Sequence, residues 1–251
     1  MQIVTISDVH IRPNCEKSYA VWENFLTHSK VKSADKIILL GDIFDLMIGE
    51  KRQYLNLYKR FFDKLAELLR EGKNVVYIEG NHDFHLESIF KEFLNKEGLN
   101  EKKFQYSKDE LILEVNGKKT LFCHGDLVDH TNEGFKKWKK VYRSKIFKFL
   151  VNRIIPFFMT RRLGERASNN SKKRNTPNFD YEKAKILYRR GAEHVFNTFN
   201  CDVIISGHTH IKDHYEIDGK LYLNNGFPQK HMSFIHIEDR AQIISLEGSS
   251  E

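Results

Sequence analysis

Residues 36–45 read KIILLGDIFD, and this stretch decides the fold. The run from Lys36 to Leu40 is too short for a helix and is stopped by Gly41, so it reads as a buried strand of a parallel sheet. Asp42 follows at once. The same grammar recurs outward in both directions. Gln2 to Ser7 (QIVTIS) is rich in β-branched residues and delivers Asp8 and His10. Val75 to Ile78 leads into Gly80-Asn81-His82-Asp83, Thr120 to Cys123 into His124-Gly125-Asp126, and Val203 to Ser206 into Gly207-His208-Thr209-His210. Each run hands over to Asp, Asn or His.

Between the runs lie helical patterns. Residues 19–30 can form a helix, and from Tyr54 to Leu69 the residues Leu57, Phe61, Leu65, Leu68 and Leu69 recur at three- and four-residue spacing, with Gly72 as the stop. Strand, helix, strand is the pattern of a βαβ unit. Leu111 to Val115 and Thr120 to Cys123 flank Asn116-Gly117, a hairpin signal. Asp180 to Phe199 is a further amphipathic helix, and Leu221–Asn224, Phe234–Ile237 and Ile243–Leu246, with a turn at Asp218-Gly219, read as short strands. These elements predict an α/β fold in which a mostly parallel sheet carries helices on both faces. Ligands of such sheets bind in the crevice at the C-terminal strand ends.

The chain of 251 residues, 40% hydrophobic, suits one domain over 1–251 with an inserted segment at 130–178. It contains no window of about eighteen uncharged apolar residues, so no transmembrane segment is predicted, and its start reads as a strand rather than a signal sequence. An intracellular protein with reduced, buried Cys15, Cys123 and Cys201 is expected. Charge is unevenly placed: residues 136–174 hold 14 Lys/Arg against Glu165 alone, +13, while 27 basic and 33 acidic residues elsewhere give −6. Such a field attracts phosphates, nucleic acid or an anionic membrane. Within it, Trp138, Tyr142, Ile146 and Phe149 form a helical stripe, and LVNRIIPFFM (150–159) is apolar and interrupted by Pro156. The pair reads as an amphipathic cap or an interfacial element whose basic residues face anionic lipid; a helical hairpin packed onto the body accounts equally for the aromatic stripe, and not for a charge of +13.

Taken singly, Asp8 or Asp42 could cap a helix and a lone His could be structural. Five placements at one sheet edge point to a shared ligand site. Carboxylate, imidazole and amide oxygen donors without thiolate suit Mn²⁺, Fe²⁺, Zn²⁺ or Co²⁺, and they are too numerous for one ion. Two ions roughly 3.5–4 Å apart would clamp a phosphoryl group and acidify a water toward a pKa of ~7.

In this order, Asp8-x-His10, Gly41-Asp42-Ile43-Phe44-Asp45, Gly80-Asn81-His82-Asp83, His124-Gly125-Asp126 and Gly207-His208-Thr209-His210 resemble the calcineurin-like metallophosphoesterases over about residues 3–227. The resemblance implies a four-layer β-sandwich flanked by helices and an enzyme that hydrolyses phosphoesters or phosphoanhydrides. It also implies two divalent ions, Mn²⁺ first among the candidates, with Asp8, His10 and His210 on one, Asn81, His124 and His208 on the other, and Asp42 bridging. His82 would stabilise the phosphoryl transition state and protonate the leaving oxygen, oriented by Asp83, and Asp45 would orient a metal ligand.

A narrower likeness, to the UDP-2,3-diacylglucosamine pyrophosphatase family of lipid A synthesis, rests on Ile48-Gly49, the basic insertion after His124-Gly125-Asp126, and Asn170-Ser171-Lys172 with Asn175. It implies a helical cap for acyl chains, substrate contacts from Asn170, Ser171 and Lys172, release of UMP and 2,3-diacylglucosamine 1-phosphate, and a cytoplasmic protein peripheral to the inner face of the cytoplasmic membrane. The chain departs from that family at His82, where the family has Arg; Arg is a fixed cation, whereas His can donate a proton. Two further readings stand beside this one: a metal-dependent nuclease or phosphodiesterase whose basic insertion holds nucleic acid, and a non-catalytic scaffold on the same fold.

Overall fold

The computed structural model describes residues 1–129, 131–162 and 180–247. Its strands, in chain order, begin with β1 (Ile3–Ile6), β2 (Lys36–Leu39), β3 (Met47–Ile48), β4 (Asn74–Ile78), β5 (Asp83–Phe84), β6 (Phe104–Ser107) and β7 (Leu111–Val115). They continue with β8 (Lys118–Phe122), β9 (Val203–Ser206), β10 (Lys212–Ile217), β11 (Lys220–Asn225), β12 (Ser233–Ile237) and β13 (Ala241–Ser245). One sheet has the order β13-β12-β1-β2-β4-β6, a second the order β10-β11-β9-β8-β7, and β3 pairs only with β5.

The strands that deliver Asp, Asn and His therefore divide between two sheets, as the resemblance implied, whereas the apolar runs by themselves suggested one mostly parallel sheet. The alternation of their side chains gives the reason. In β2 and the residue after it, Ile37 and Leu39 face one apolar cluster while Ile38 and Leu40 face another; in β4, Val75 and Tyr77 part in the same way from Val76 and Ile78. Ile38, Leu40, Val76 and Ile78 meet Phe122, Val203, Ile205 and Leu223 of the second sheet, so each sheet has one inner face. The outer face of the first sheet packs on helices Glu16–Thr27, Lys59–Arg70 and Glu87–Lys96. The outer face of the second, through Leu121, Cys123 and Ile204, packs on Ala192, Val195 and Phe196 of helix Tyr181–Phe199. The result is a four-layer α/β sandwich. Every strand of its centre is apolar on both sides, and each fully buried Ile, Leu or Phe contributes about 1.5–3 kcal/mol.

Local chemistry sets the boundaries. Asn116 and Gly117, at φ 53° and 74°, make the two-residue turn between β7 and β8, and Asp218-Gly219, at 49° and 76°, does the same between β10 and β11. The predicted helix 54–69 is two helices, Gln53–Leu57 and Lys59–Arg70, because Tyr58 leaves helical geometry to donate its hydroxyl to the Leu46 carbonyl at 2.8 Å. Helix 19–30 is likewise split, into Glu16–Thr27 and Ser29–Ser33. Cys123 and Cys201 are buried as expected, whereas Cys15 is half-buried.

Helices Glu133–Tyr142 and Lys145–Phe149, a π-helical turn Leu150–Ile154 and a helical turn over 157–162 form a roof over one side of the body. It is fixed by Glu50 N donating to Asn152 Oδ1 at 2.9 Å, by Lys51 Nζ donating to Asn152 O and Ile155 O, and by Tyr54 against Phe157. Of the predicted aromatic stripe only Tyr142 turns inward, onto Phe84. Ile146, Phe149 and Ile154 are 74%, 58% and 60% exposed, and Trp138 and Phe158 are exposed too. No helix among the described residues is long and apolar enough to cross a membrane.

Candidate metal centre

Parallel pairing sets β1, β2 and β4 side by side, with Ile6 against Leu39 and Leu39 against Tyr77, so the loops after them leave one edge together. β8 and β9 pair with Phe122 against Ile205, so their loops leave the second sheet together. At these exits Asp8, His10, Asp42, His208 and His210 all adopt positive φ, from 50° to 69°. Such backbone costs about 1–3 kcal/mol per residue and persists where its surroundings over-determine it. Here they do. Asp8 N and His10 N donate to Gly41 O and Asp42 O, His82 N to Asp42 Oδ1 at 2.8 Å, and His208 N to Asp8 Oδ2 at 2.9 Å. Two glycines permit the approach: a Cβ on Gly80 would lie 2.2 Å from Asp42 Oδ1, and one on Gly207 2.2 Å from Asp8 Oδ2.

The side chains gather in two groups that meet at Asp42. In one, His210 Nε2 lies 3.2 Å from Asp8 Oδ1 and 3.2 Å from His10 Nε2, which is 3.9 Å from Asp42 Oδ2. In the other, Asn81 Oδ1 lies 2.9 Å from His208 Nδ1 and 3.0 Å from His124 Nε2, which is 3.5 Å from Asp42 Oδ2. His124 Nδ1 donates to Leu40 O at 2.8 Å, which turns Nε2 inward. All seven residues expected from the sequence as metal ligands are thus brought to one place.

These donors fit divalent cations. Asp8 Oδ1 is buried with His210 Nε2 beside it, and two pairs of imidazole nitrogens, His10 with His210 and His124 with His208, stand 3.2 Å apart, an arrangement a cation would resolve. Burial, reinforced by the neighbouring imidazoles His82 and His124 respectively, pushes the pKa of His10 down to about 3 and of His208 down to about 4, so both offer neutral nitrogens. Burial opposes charge on His124 as well, but the Asp42 carboxylate outweighs it and lifts His124 to about 10. Asp42 itself stays well below the ordinary carboxylate range: burial opposes its charge, and the cationic His124 and the His82 ring more than offset it.

His82 lies at the same rim. Its Nδ1 bonds the Asp45 carbonyl at 2.9 Å, and Nε2 stands 4.0 Å from Asp42 Oδ2. The predicted orientation of His82 by Asp83 is corrected. The Asp83 carboxylate is buried and accepts from Asp42 N, Phe44 N, Gly80 N and the Tyr77 hydroxyl, tying the loop after β2 to the loop after β4. Burial and the adjacent Asp42 carboxylate raise its pKa to about 7. Asp45 Oδ1 stands 3.7 Å from His10 Nδ1, beyond hydrogen-bond distance, and His10 Nδ1 is buried without a hydrogen bond. Asn170, Ser171 and Lys172 lie outside the described residues.

Sequence reading did not single out Arg12, whose guanidinium meets Asp45 with Nε at 3.1 Å from Oδ2. It also passed over Ser7, which bonds both Asp8 Oδ2 and Asn225 Oδ1, and Asn224, which holds the Gly207 carbonyl at 2.7 Å. Asn224-Asn225 at the end of an apolar strand was the available signal.

Curated relatives match most of the chain at modest identity. The chain is 25% identical over 207 residues to a UDP-2,3-diacylglucosamine hydrolase of Histophilus somni, with 82% of each chain covered. It is 25% identical to that of Aeromonas hydrophila, covering 91% of this chain and 92% of the relative, and 26% identical to that of Neisseria meningitidis serogroup A, covering 97% and 93%. The profile of calcineurin-like phosphoesterases matches residues 1–212, the span that carries every residue of the two donor groups, and the chain belongs to that family.

Proposed function

We propose that this phosphoesterase cleaves the pyrophosphate of UDP-2,3-diacylglucosamine, or of a closely related lipid-linked nucleotide, to UMP and 2,3-diacylglucosamine 1-phosphate. The carrying observation is the pairing of two donor groups at Asp42 with a roof that is exposed, apolar and basic at once. Relatives covering over nine-tenths of the chain and named for that substrate support the reading.

In this reading Asp8, His10 and His210 would hold one divalent ion and Asn81, His124 and His208 a second, with Asp42 available to both and Mn²⁺ the expected metal. Such ions supply hydroxide at neutral pH and neutralise phosphoryl oxygens. The chain's own residues do the rest. Leu40 O fixes the His124 ring, Asp45 stands beside the His10 ring, and Asp83 clamps the loops that carry Asp42 and Asn81. His82, its Nδ1 occupied by the Asp45 carbonyl, keeps Nε2 toward the site for a developing charge or a departing oxygen. Residues 130–178 act as one cap within a single domain, with Asn170, Ser171 and Lys172 meeting the substrate. The exposed apolar side chains take acyl groups, and the lysines hold the protein against the anionic inner face of the cytoplasmic membrane.

The test is incubation of Mn²⁺-loaded protein with UDP-2,3-diacylglucosamine and, separately, with single-stranded DNA. UMP release from the first is expected. Cleavage of DNA with the sugar nucleotide untouched would contradict the proposal and favour a nuclease.

A further inference from the structure

A cavity of about 420 Å³ opens beside the metal centre, lined by Arg12, Asn14, Asp45, Leu57, Tyr58 and Arg161 among others. Its volume falls in the range of small-molecule sites. Asp45 joins it to the centre: Oδ1 stands 3.7 Å from His10 Nδ1, and the same carboxylate meets Arg12 at Nε (3.1 Å) and Nη2 (3.4 Å). Those contacts use two of the five N–H groups of a planar fork whose side chain is 49% exposed. An ion pair that open contributes little to stability, so folding alone does not account for its place. Asp45 meets the fork at Nε and Nη2, and Arg12 lines the cavity. Arg161, from the roof, adds a second guanidinium to the lining. A guanidinium so held matches phosphate geometry.

We infer that this cavity takes the nucleoside phosphate half of the substrate, with Arg12 binding an oxygen of a phosphate at its mouth. The inference rests on the diphosphate reading given above. The acylated half is matched by the exposed apolar side chains of 146–159, which leaves the wall formed by Arg12, Asn14 and Asp45 to the polar half.

Arg12→Ala, Arg12→Lys and Leu57→Trp, the last of which narrows the cavity, are compared on UDP-2,3-diacylglucosamine and on bis(p-nitrophenyl) phosphate, with UMP as inhibitor. In Arg12→Ala, KM for the sugar nucleotide is expected to rise about tenfold more than KM for the aryl diester, the size of one lost charge-assisted hydrogen bond, and UMP inhibition to weaken in step. Arg12→Lys should recover part of this loss, since it keeps the charge without the fork, and Leu57→Trp should weaken UMP as well. Equal losses on both substrates with UMP inhibition unaltered would show that Arg12 serves only to hold Asp45 beside His10, and would overturn the inference. Should the wild type hydrolyse only the aryl diester, the diphosphate reading itself fails. Calorimetric binding of UMP then decides the cavity separately: affinity unaltered by Arg12→Ala overturns the assignment, and weakened affinity sustains it.

Discussion

At the scale of single residues, the centre depends on side chains whose backbone could not be held where it is without its neighbours. Asp42 is the clearest: it is buried at positive φ, takes His82 N on one oxygen and faces His10 and His124 with the other. Asp42→Ala is expected to lower hydrolysis of any phosphodiester by more than about 100-fold, beyond the loss usual for a residue that merely supports a metal ligand. Its circular dichroism and melting cooperativity should stay native; near-normal turnover would contradict the role. Gly207→Ala tests the approach of the two loops. Its Cβ would lie 2.0 Å from Ser7 Oγ, and a loss of about 1–3 kcal/mol in urea denaturation is expected. An unaltered midpoint would contradict that packing. The expected ligands were legible in the sequence because each follows an apolar run at once, so proximity along the chain stood for proximity to one edge. Asp83 was not, since adjacency to His82 says nothing about direction: its carboxylate points back into the body, toward Tyr77 and three backbone N–H groups.

At the scale of elements, the strands were legible in the apolar runs, and their allocation to two sheets only through the family resemblance. A run such as KIILL looks the same whether its two faces meet two helical layers or one helical layer and a second sheet, because both bury every side chain. β6 and β10 gave no clear apolar run: FQYS and KDHYEI lie at sheet edges and carry polar side chains. The roof was legible in composition, and the orientation of its side chains was not. Periodicity grouped Trp138, Tyr142, Ile146 and Phe149 on one stripe, but the break at Arg143 and Ser144 between two helices lets Tyr142 face Phe84 while Ile146 and Phe149 face outward. Replacing Ile146, Phe149 and Ile154 together with Ser should leave the fold intact, since all three are exposed, and should spare aryl phosphodiester hydrolysis. Binding to vesicles containing anionic lipid and turnover of the acylated substrate should fall at least about tenfold, each side chain withdrawing apolar area. Equal loss on both substrates would show that the roof is structural.

At the scale of the whole molecule, the net charge of +7 conceals −6 over the rest of the chain and +13 within residues 136–174, so the excess positive charge is confined to one stretch. Stability also has a pH dependence remote from the metal centre. His236 on β12 is fully buried with neither ring nitrogen hydrogen-bonded, and burial, then Lys30, depress its pKa, with Glu238 opposing. The unfolded chain therefore takes up a proton near pH 6.5 that the folded chain refuses, so this contribution is present above that pH and is lost as pH falls through it. His236→Leu should reduce the stability lost between pH 7.5 and 5.5, read by urea denaturation at both values; identical losses in the two proteins would contradict it.

The most direct measurement is electron paramagnetic resonance, with metal analysis, on protein reconstituted with Mn²⁺. Two manganese ions per chain with a spin-coupled spectrum are expected, the coupling lost in Asp42→Ala. One ion per chain, or two uncoupled ions that Asp42→Ala leaves untouched, would contradict a centre built around a shared carboxylate.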